Sequence, residues 1–254
     1  MKSVTRLCLA VLVVALGASA QNTLNLFGDI GYGFGMGSYY LGTSNENQET
    51  NDHFLNLGHG AKLELGVGYM AAENLETRVS VDMSFGWPSP EIKTRSSSGV
   101  TQNDLTSDYS YFSWGIKTLI APHFEALELL DVYVGVGLGL NFATSSFTNT
   151  LVSTQAQTTT TYEAVFKNVT PASLGFIGVA GFTLPMSDLL SAFGEVRFES
   201  MNFKLKETRM ESNTSDLYAP GDTYYEEDVQ DRDPPPNIPG NNWGIRAGLK
   251  LWLF

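Results

Sequence analysis

Cysteine is all but missing from this chain: 254 residues contain one, Cys8. It falls in an N-terminal stretch that is expected to be removed. The remaining chain is then expected to have no thiol, no disulfide and no Cys-based metal site, which suits export to an oxidising compartment. Histidine is nearly as scarce, at three residues, His53, His59 and His123. That thins out acid–base and nucleophile-activating chemistry, which most often relies on an imidazole. Basic residues are outnumbered 15 to 27 by acidic ones, a balance that argues against a nucleic-acid partner. Long apolar runs are absent beyond Leu7 to Leu16. That run is shorter than the roughly 20 residues a membrane-spanning helix needs, so helical spanning is excluded.

The first twenty residues have the layout of an export signal. Lys2 and Arg6 precede the apolar run, and Ala18-Ser19-Ala20 offers a small-residue cleavage site before Gln21. Residues 1–20 are therefore expected to be cleaved, leaving 21–254 as one domain. Setting aside Lys2 and Arg6 leaves 13 bases against 27 acids, a formal charge of −14.

What the remaining chain does have is alternation with period two, in eight segments. The first sets Leu24, Leu26, Ile30, Tyr32 and Phe34 against Asn25, Asp29, Gly31 and Gly33. The second sets Leu63, Leu65, Val67 and Tyr69 against Lys62, Glu64, Gly66 and Gly68, and the third Thr77, Val79, Val81 and Met83 against Glu76, Arg78, Ser80 and Asp82. The fourth, Tyr109 to Ala121, places Lys117 opposite Trp114 and Ile116. The fifth alternates Val132, Val134, Val136, Leu138 and Leu140 with Tyr133, Gly135, Gly137 and Gly139. The sixth, Ser173 to Leu184, is ambiguous in phase, because Ile177 and Val179 compete with Phe176, Ala180 and Phe182. The seventh opposes Val196 and Phe198 to Glu195, Arg197 and Glu199, and the eighth Ile245, Leu249 and Leu251 to Arg246 and Lys250.

Short connections (Ala71–Asn74, Pro122–Asp131, Pro185–Leu190) alternate with long ones (Gly37–Leu57, Pro88–Asp108, Ala143–Ala172, Lys206–Asn242). This is the layout of an all-β, eight-stranded antiparallel up-and-down transmembrane barrel, with short periplasmic turns and long outer loops. A soluble sandwich or lipocalin-like barrel also alternates. Three features favour the membrane. The segments run about ten residues or more, the length of a tilted membrane strand. The non-apolar face is rich in glycine, a poor strand former on a solvated surface but a fit to the narrow interior of an eight-stranded barrel. Finally, that face carries Asp29, Glu64, Glu76, Asp82, Glu195 and Glu199 with Lys62, Arg78, Lys117, Arg197, Arg246 and Lys250. Six acids with six bases is neutral in a strongly acidic chain. An enclosed interior demands such pairing, whereas a solvated face does not.

Aromatic residues at segment ends, Trp87, Tyr109 and Trp243 on one side and Tyr69 on the other, fit interfacial girdles. The chain closes on Trp252 and Phe254, which resembles the signal by which outer-membrane barrels are recognised by their assembly machinery. Lys250 shares their phase, so either the phase shifts at a bulge or the pattern is degenerate. Val132 to Asn141 is similar to the glycine-rich central strand of the small outer-membrane barrel family that includes the OmpA barrel domain and OmpX, and Gly194-Glu195-Val196-Arg197-Phe198 resembles its acid-x-Arg-aromatic strand. The resemblance implies a monomeric, surface-exposed barrel in the outer membrane of a Gram-negative-type bacterium, with roles from adhesion to membrane integrity.

The twelve interior charges read either as an ion path or as a salt-bridged plug, and the crowding favours the plug. The alternative function is a small porin or carrier for ions or hydrophobic compounds. His53 falls in a polar loop and His123 in a periplasmic turn; His59 is placed near the outer rim, but Ala61 stands where lipid A deacylase-like barrels have the Ser of a His-x-Ser arrangement. No catalytic residue, cofactor or metal is assigned. Asp222, Glu226, Glu227, Asp228, Asp231 and Asp233 match no EF-type spacing and read as a solvated acidic loop. The Thr-rich stretch Thr148–Val165 is expected to carry strands five and six outward as a protruding hairpin. Its unpaired edges would offer a partner a site for strand addition, with a mobile loop as the alternative.

Overall fold

The computed structural model describes residues 24–37, 39–46, 49–86, 91–98, 101–127, 130–155, 158–170, 172–204, 207–213, 223–226 and 237–253. The expected signal segment, Trp87, Phe254 and most of the acidic loop lie outside them. Eight strands close into a ring: β1 (Leu24–Gly35), β2 (Gly60–Ala72), β3 (Leu75–Phe85), β4 (Thr101–Leu127), β5 (Leu130–Gln155), β6 (Ser173–Pro185), β7 (Leu190–Ser200) and β8 (Asn242–Leu253). Each pairs antiparallel with its neighbours in chain order. β8 returns to β1 from Leu24↔Leu253 to Gly35↔Asn242. The eight segments expected from alternation are these eight strands.

The polarity of the ring is inverted relative to a soluble protein. Leu, Ile, Val and Phe point outward, with Val136 71% exposed, Ile30 68% and Leu174 67%, while charged and small residues point inward. Glycine is required inside where neighbouring groups cross its position. A Cβ on Gly31 would lie 2.3 Å from the Ile245 carbonyl oxygen and 2.7 Å from Cγ of Arg246, and one on Gly68 would lie 2.5 Å from Oδ1 of Asn25. In β6, Ile177 and Val179 turn inward, and Leu174, Phe176 and Phe182 turn outward, which settles its phase. The two inward apolar residues pack on Leu119, Ala121 and Tyr133, so one wall of the interior is greasy.

Three expectations are corrected. Pro122–Asp131 is not a loop: β4 runs to Leu127, and His123 pairs with Tyr133 in the β4–β5 ladder. Pro122 lies within β4 but opposite Leu75, the first residue of β3, so on that side its missing N–H falls where the β3 ladder ends. The outer connections are largely strand, not loop. β4 and β5 continue outward, paired from Thr101↔Gln155 onward. Tyr39–Glu46, Glu49–Leu55 and Glu91–Ser98 extend one flank, and Thr158–Val169, Glu207–Asn213 and Thr223–Glu226 extend the other. The protruding hairpin exists, but β5 forms it with Thr158–Val169 rather than with β6, and its edges are covered by β4 and Glu207–Asn213. Among the described residues, the outermost strands of the outer sheet are Glu49–Leu55 and Thr223–Glu226.

Candidate functional site: an ion-paired lumen

All twelve inward charges are buried, none more than 5% exposed. They sort into two layers. Toward the chain termini, Glu76 and Glu195 meet Arg78 and Lys250. Arg78 Nε donates to Glu76 Oε2 at 2.9 Å and its Nη1 to Glu195, while Lys250 Nζ donates to Glu76 Oε2 at 2.9 Å. The Tyr133 hydroxyl donates to Glu195 at 2.6 Å and Asn25 Nδ2 to Glu76 at 3.0 Å. The Arg78 guanidinium lies over the Tyr133 ring, 4.6 Å from its centroid.

Nearer the outer end, Asp29, Glu64, Asp82 and Glu199 surround Lys62, Lys117, Arg197 and Arg246. Arg246 is the hub, 2.8 Å from Glu64, 2.8 Å from Asp82, 3.2 Å from Asp29 and 3.3 Å from Glu199. Lys117 bridges Asp82, at 2.8 Å, and Glu199, and Lys62 stands 3.8 Å from Glu199. Arg197 joins the layers, donating to Glu195 at 2.7 Å and to Glu64. Each layer is neutral by itself. This distribution matters because a buried ion without a partner costs several kcal/mol, and local pairing removes that cost at every depth.

Strand geometry places these side chains together. Glu76, Arg78 and Asp82 lie at even spacing on β3, as do Glu195, Arg197 and Glu199 on β7, so period two aims every one at the interior. Register then sets the cross-strand neighbours: Glu64↔Asp82, Glu195↔Arg246 and Asp29↔Glu64.

His123, Asn25, Asn242 and Tyr133 belong to the network and were not identified as members from the sequence. His123, buried at 6% exposure, has Nε2 3.0 Å from Glu76 and Nδ1 against Asp131, and it stacks on Tyr133 with centroids 4.9 Å apart. Its even spacing from Lys117 was the available signal, and Pro122 obscured it. Asn25 and Asn242 also belong to the network, Asn242 Nδ2 donating to Glu199 at 3.2 Å. His59 lies outside the network, at the outer rim as expected, with Nε2 3.1 Å from the Tyr32 hydroxyl.

At the chain terminus, β8 pairs with β1 and β7 without a register shift. No bulge intervenes, and Trp252 keeps the inward phase of Lys250, its Nε1 donating to Ser191 Oγ at 2.9 Å. Outside, aromatic pairs gather toward the outer end: Phe34 on Trp243 at 4.5 Å, Trp114 on Phe142 at 4.6 Å and Phe85 near Phe112 at 5.2 Å between centroids.

No family model matches the chain, and no curated protein does. Among solved structures it is similar to Neisserial surface protein A, at 9% identity over 91% of this chain and 97% of that one, with a TM-score of 0.40. It is also similar to a major outer membrane protein of Thermus thermophilus, at 12% identity over 92% and 100%, TM-score 0.42. A third is Ail, the attachment invasion locus protein of Yersinia pestis, at 9% identity over 90% and 97%, TM-score 0.30. The fold rests on the strand ring itself: the chain is an eight-stranded antiparallel β-barrel, apolar outside and ion-paired within.

Proposed function

We propose that this is a monomeric outer-membrane barrel of a Gram-negative-type bacterium whose lumen is plugged by its own ion pairs, and whose role is structural or surface-interacting. The observation that carries the reading is the pairing of an apolar exterior with a buried, layer-by-layer neutral interior. In water the outward Val, Ile and Leu side chains would be a large aggregation-prone patch; in lipid the same surface is at home. Closure of the ring satisfies every barrel strand's backbone without water, the condition for crossing hydrocarbon.

Plugging follows from crowding and from energy. Displacing Arg246 or Glu195 to open a path strands partners in a low-dielectric interior. Outer-membrane lipid is the partner of the apolar band, and the assembly machinery is a transient one. An extracellular partner would meet the outer sheet, whose outermost strands are Glu49–Leu55 and Thr223–Glu226. No enzymatic role is proposed, since His59 is engaged by Tyr32 and His123 lies between two carboxylates.

Planar-bilayer recording on refolded protein tests the plug. The parent is expected to be silent, with brief openings appearing in Arg246→Ala or Glu195→Ala. Steady conductance in the parent, altered by either substitution, would overturn the plug in favour of a small pore.

A further inference from the structure

Above the ion layers, the outer mouth holds a second closure that belongs to no barrel ladder. Asn202–Lys204 and Asn237–Pro239 form a separate two-stranded sheet with Phe203 opposite Ile238. Phe203, at 0% exposure, and Ile238 bury against Leu55, Leu57 and Met201, and this cluster rests on Tyr111 and Ala143 from the inward faces of β4 and β5.

Asn56 ties the assembly together. Its Nδ2 shares its two hydrogens among the carbonyls of Met36 at 2.9 Å, Gly37 at 2.8 Å and Asn241 at 3.2 Å, and its Oδ1 accepts from Gly58 N at 2.7 Å. One side chain thus joins the chain leaving β1, the chain entering β2 and the chain entering β8. Backbone bonds reinforce the joint, with Leu57 N donating to Pro239 O at 2.8 Å and Met36 N to Asn241 O at 2.7 Å. The segments touch closely: a Cβ on Gly58 would lie 2.3 Å from the Gly240 carbonyl oxygen. Beneath, Asn242 Nδ2 bridges Gly240 O, at 3.1 Å, and Glu199 of the outer ion layer.

We infer that Phe203, Ile238 and their neighbours form a separable apolar cap over the lumen, latched by the amide of Asn56, which opens while the barrel stays closed. Separability follows from the bonding. Among the described residues the cap shares no ladder with the barrel wall, so lifting it breaks the Asn56 and Asn241 contacts, the Leu57–Pro239 bond and the bond from Ser173 Oγ to the Asn202 carbonyl at 2.6 Å and exposes the apolar cluster, but leaves all eight barrel pairings intact. The cap adds a second seal to the lumen read above as plugged, and it rests on that reading only for its purpose.

The test places a reporter in the cap. In full-length protein with Cys8→Ser, refolded into vesicles, Phe203→Cys and separately Ile238→Cys are reacted with a membrane-impermeant maleimide; Ser80→Cys, buried in the lumen wall, serves as control. The parent background should label slowly at all three. Asn56→Ala should speed both cap positions about tenfold, the loss of one to two net hydrogen bonds, with Ser80→Cys and heat-modifiable gel mobility unchanged. Asn56→Asp keeps the acceptor and loses the donors, so it should behave like Asn56→Ala and serves if the alanine variant folds poorly. Rapid labelling of both cap positions without any Asn56 substitution would overturn the cap. Unchanged rates in both Asn56 variants, or equal acceleration at Ser80→Cys, would overturn the latch. Steady conductance of the parent with slow cap labelling would end the plugged-lumen reading and leave the cap standing.

Discussion

Arg246→Met is the sharpest perturbation of the lumen. The guanidinium it removes lies within 3.3 Å of four carboxylates. Glu64 retains Arg197, Asp82 retains Lys117, and Glu199 retains Lys117 and Lys62. Asp29 is the group stripped of its ion-pair partner, and the outer layer becomes net negative. Breaking a buried pair from one side costs about 3–5 kcal/mol, and the unbranched methionine leaves little volume change to confuse the result. Adding Asp29→Asn neutralises the stranded carboxylate and restores balance, so the double variant should recover about 1–3 kcal/mol of that loss. Equilibrium urea unfolding in lipid vesicles, followed by tryptophan fluorescence and gel mobility, reads both quantities. A loss below about 1 kcal/mol for Arg246→Met, or simple additivity of the two substitutions, would refute local charge balance as the organising rule. Lys62→Met is the internal comparison. Among the described residues its one ion pair is the long contact to Glu199, which predicts less than half the Arg246 cost.

Glycine substitutions separate crowding from propensity. At Gly137 a Cβ would sit 2.0 Å from the Thr118 carbonyl oxygen, whereas at Gly178 it meets nothing within 4 Å. Gly137→Ala should therefore lose about 1–3 kcal/mol and Gly178→Ala change stability by no more than about 0.5 kcal/mol, measured by the same unfolding. Lipid exposure is testable by brominated-lipid quenching: Trp114 and Trp243, both over 40% exposed, should be quenched better by shallow than by deep bromines. Equal failure of both positions would remove the membrane reading. On the outer sheet, hydrogen bonds from Arg95 and Gln102 hold the Asp104 carboxyl below its ordinary range. A depressed folded-state value means its contribution is present above the unfolded pKa and is lost as pH falls through the folded one. Arg95→Ala should return the Asp104 titration, followed by NMR, toward about 3.9 without altering barrel stability.

Much of the site was legible because strand periodicity is local. Glu195, Arg197 and Glu199 share a face whatever they pair with, and the same holds for Glu76, Arg78 and Asp82. Their burial followed once the opposite face proved too apolar for water. Pro122 misled because a proline within a strand and one in a turn look alike in sequence, and with it went His123 and the extent of β4. The outer strands other than the Thr-rich hairpin escaped because Ser, Thr and Asn dominate them and their few apolar residues mark no sustained face. The cap escaped for another reason: Leu57, Phe203 and Ile238 are far apart in the chain and carry no periodic signal.

The sequence by itself indicated eight antiparallel segments and, for every strand but β6, which face is greasy, since these depend on side-chain alternation and on connection length. Only the tertiary structure decided who partners whom. Register brought Arg246 among four carboxylates and joined His123 to Glu76 and Asp131. It also laid the Asn56 amide across three separate chain segments. Such contacts arise from ring closure, which brings together residues that no local pattern relates.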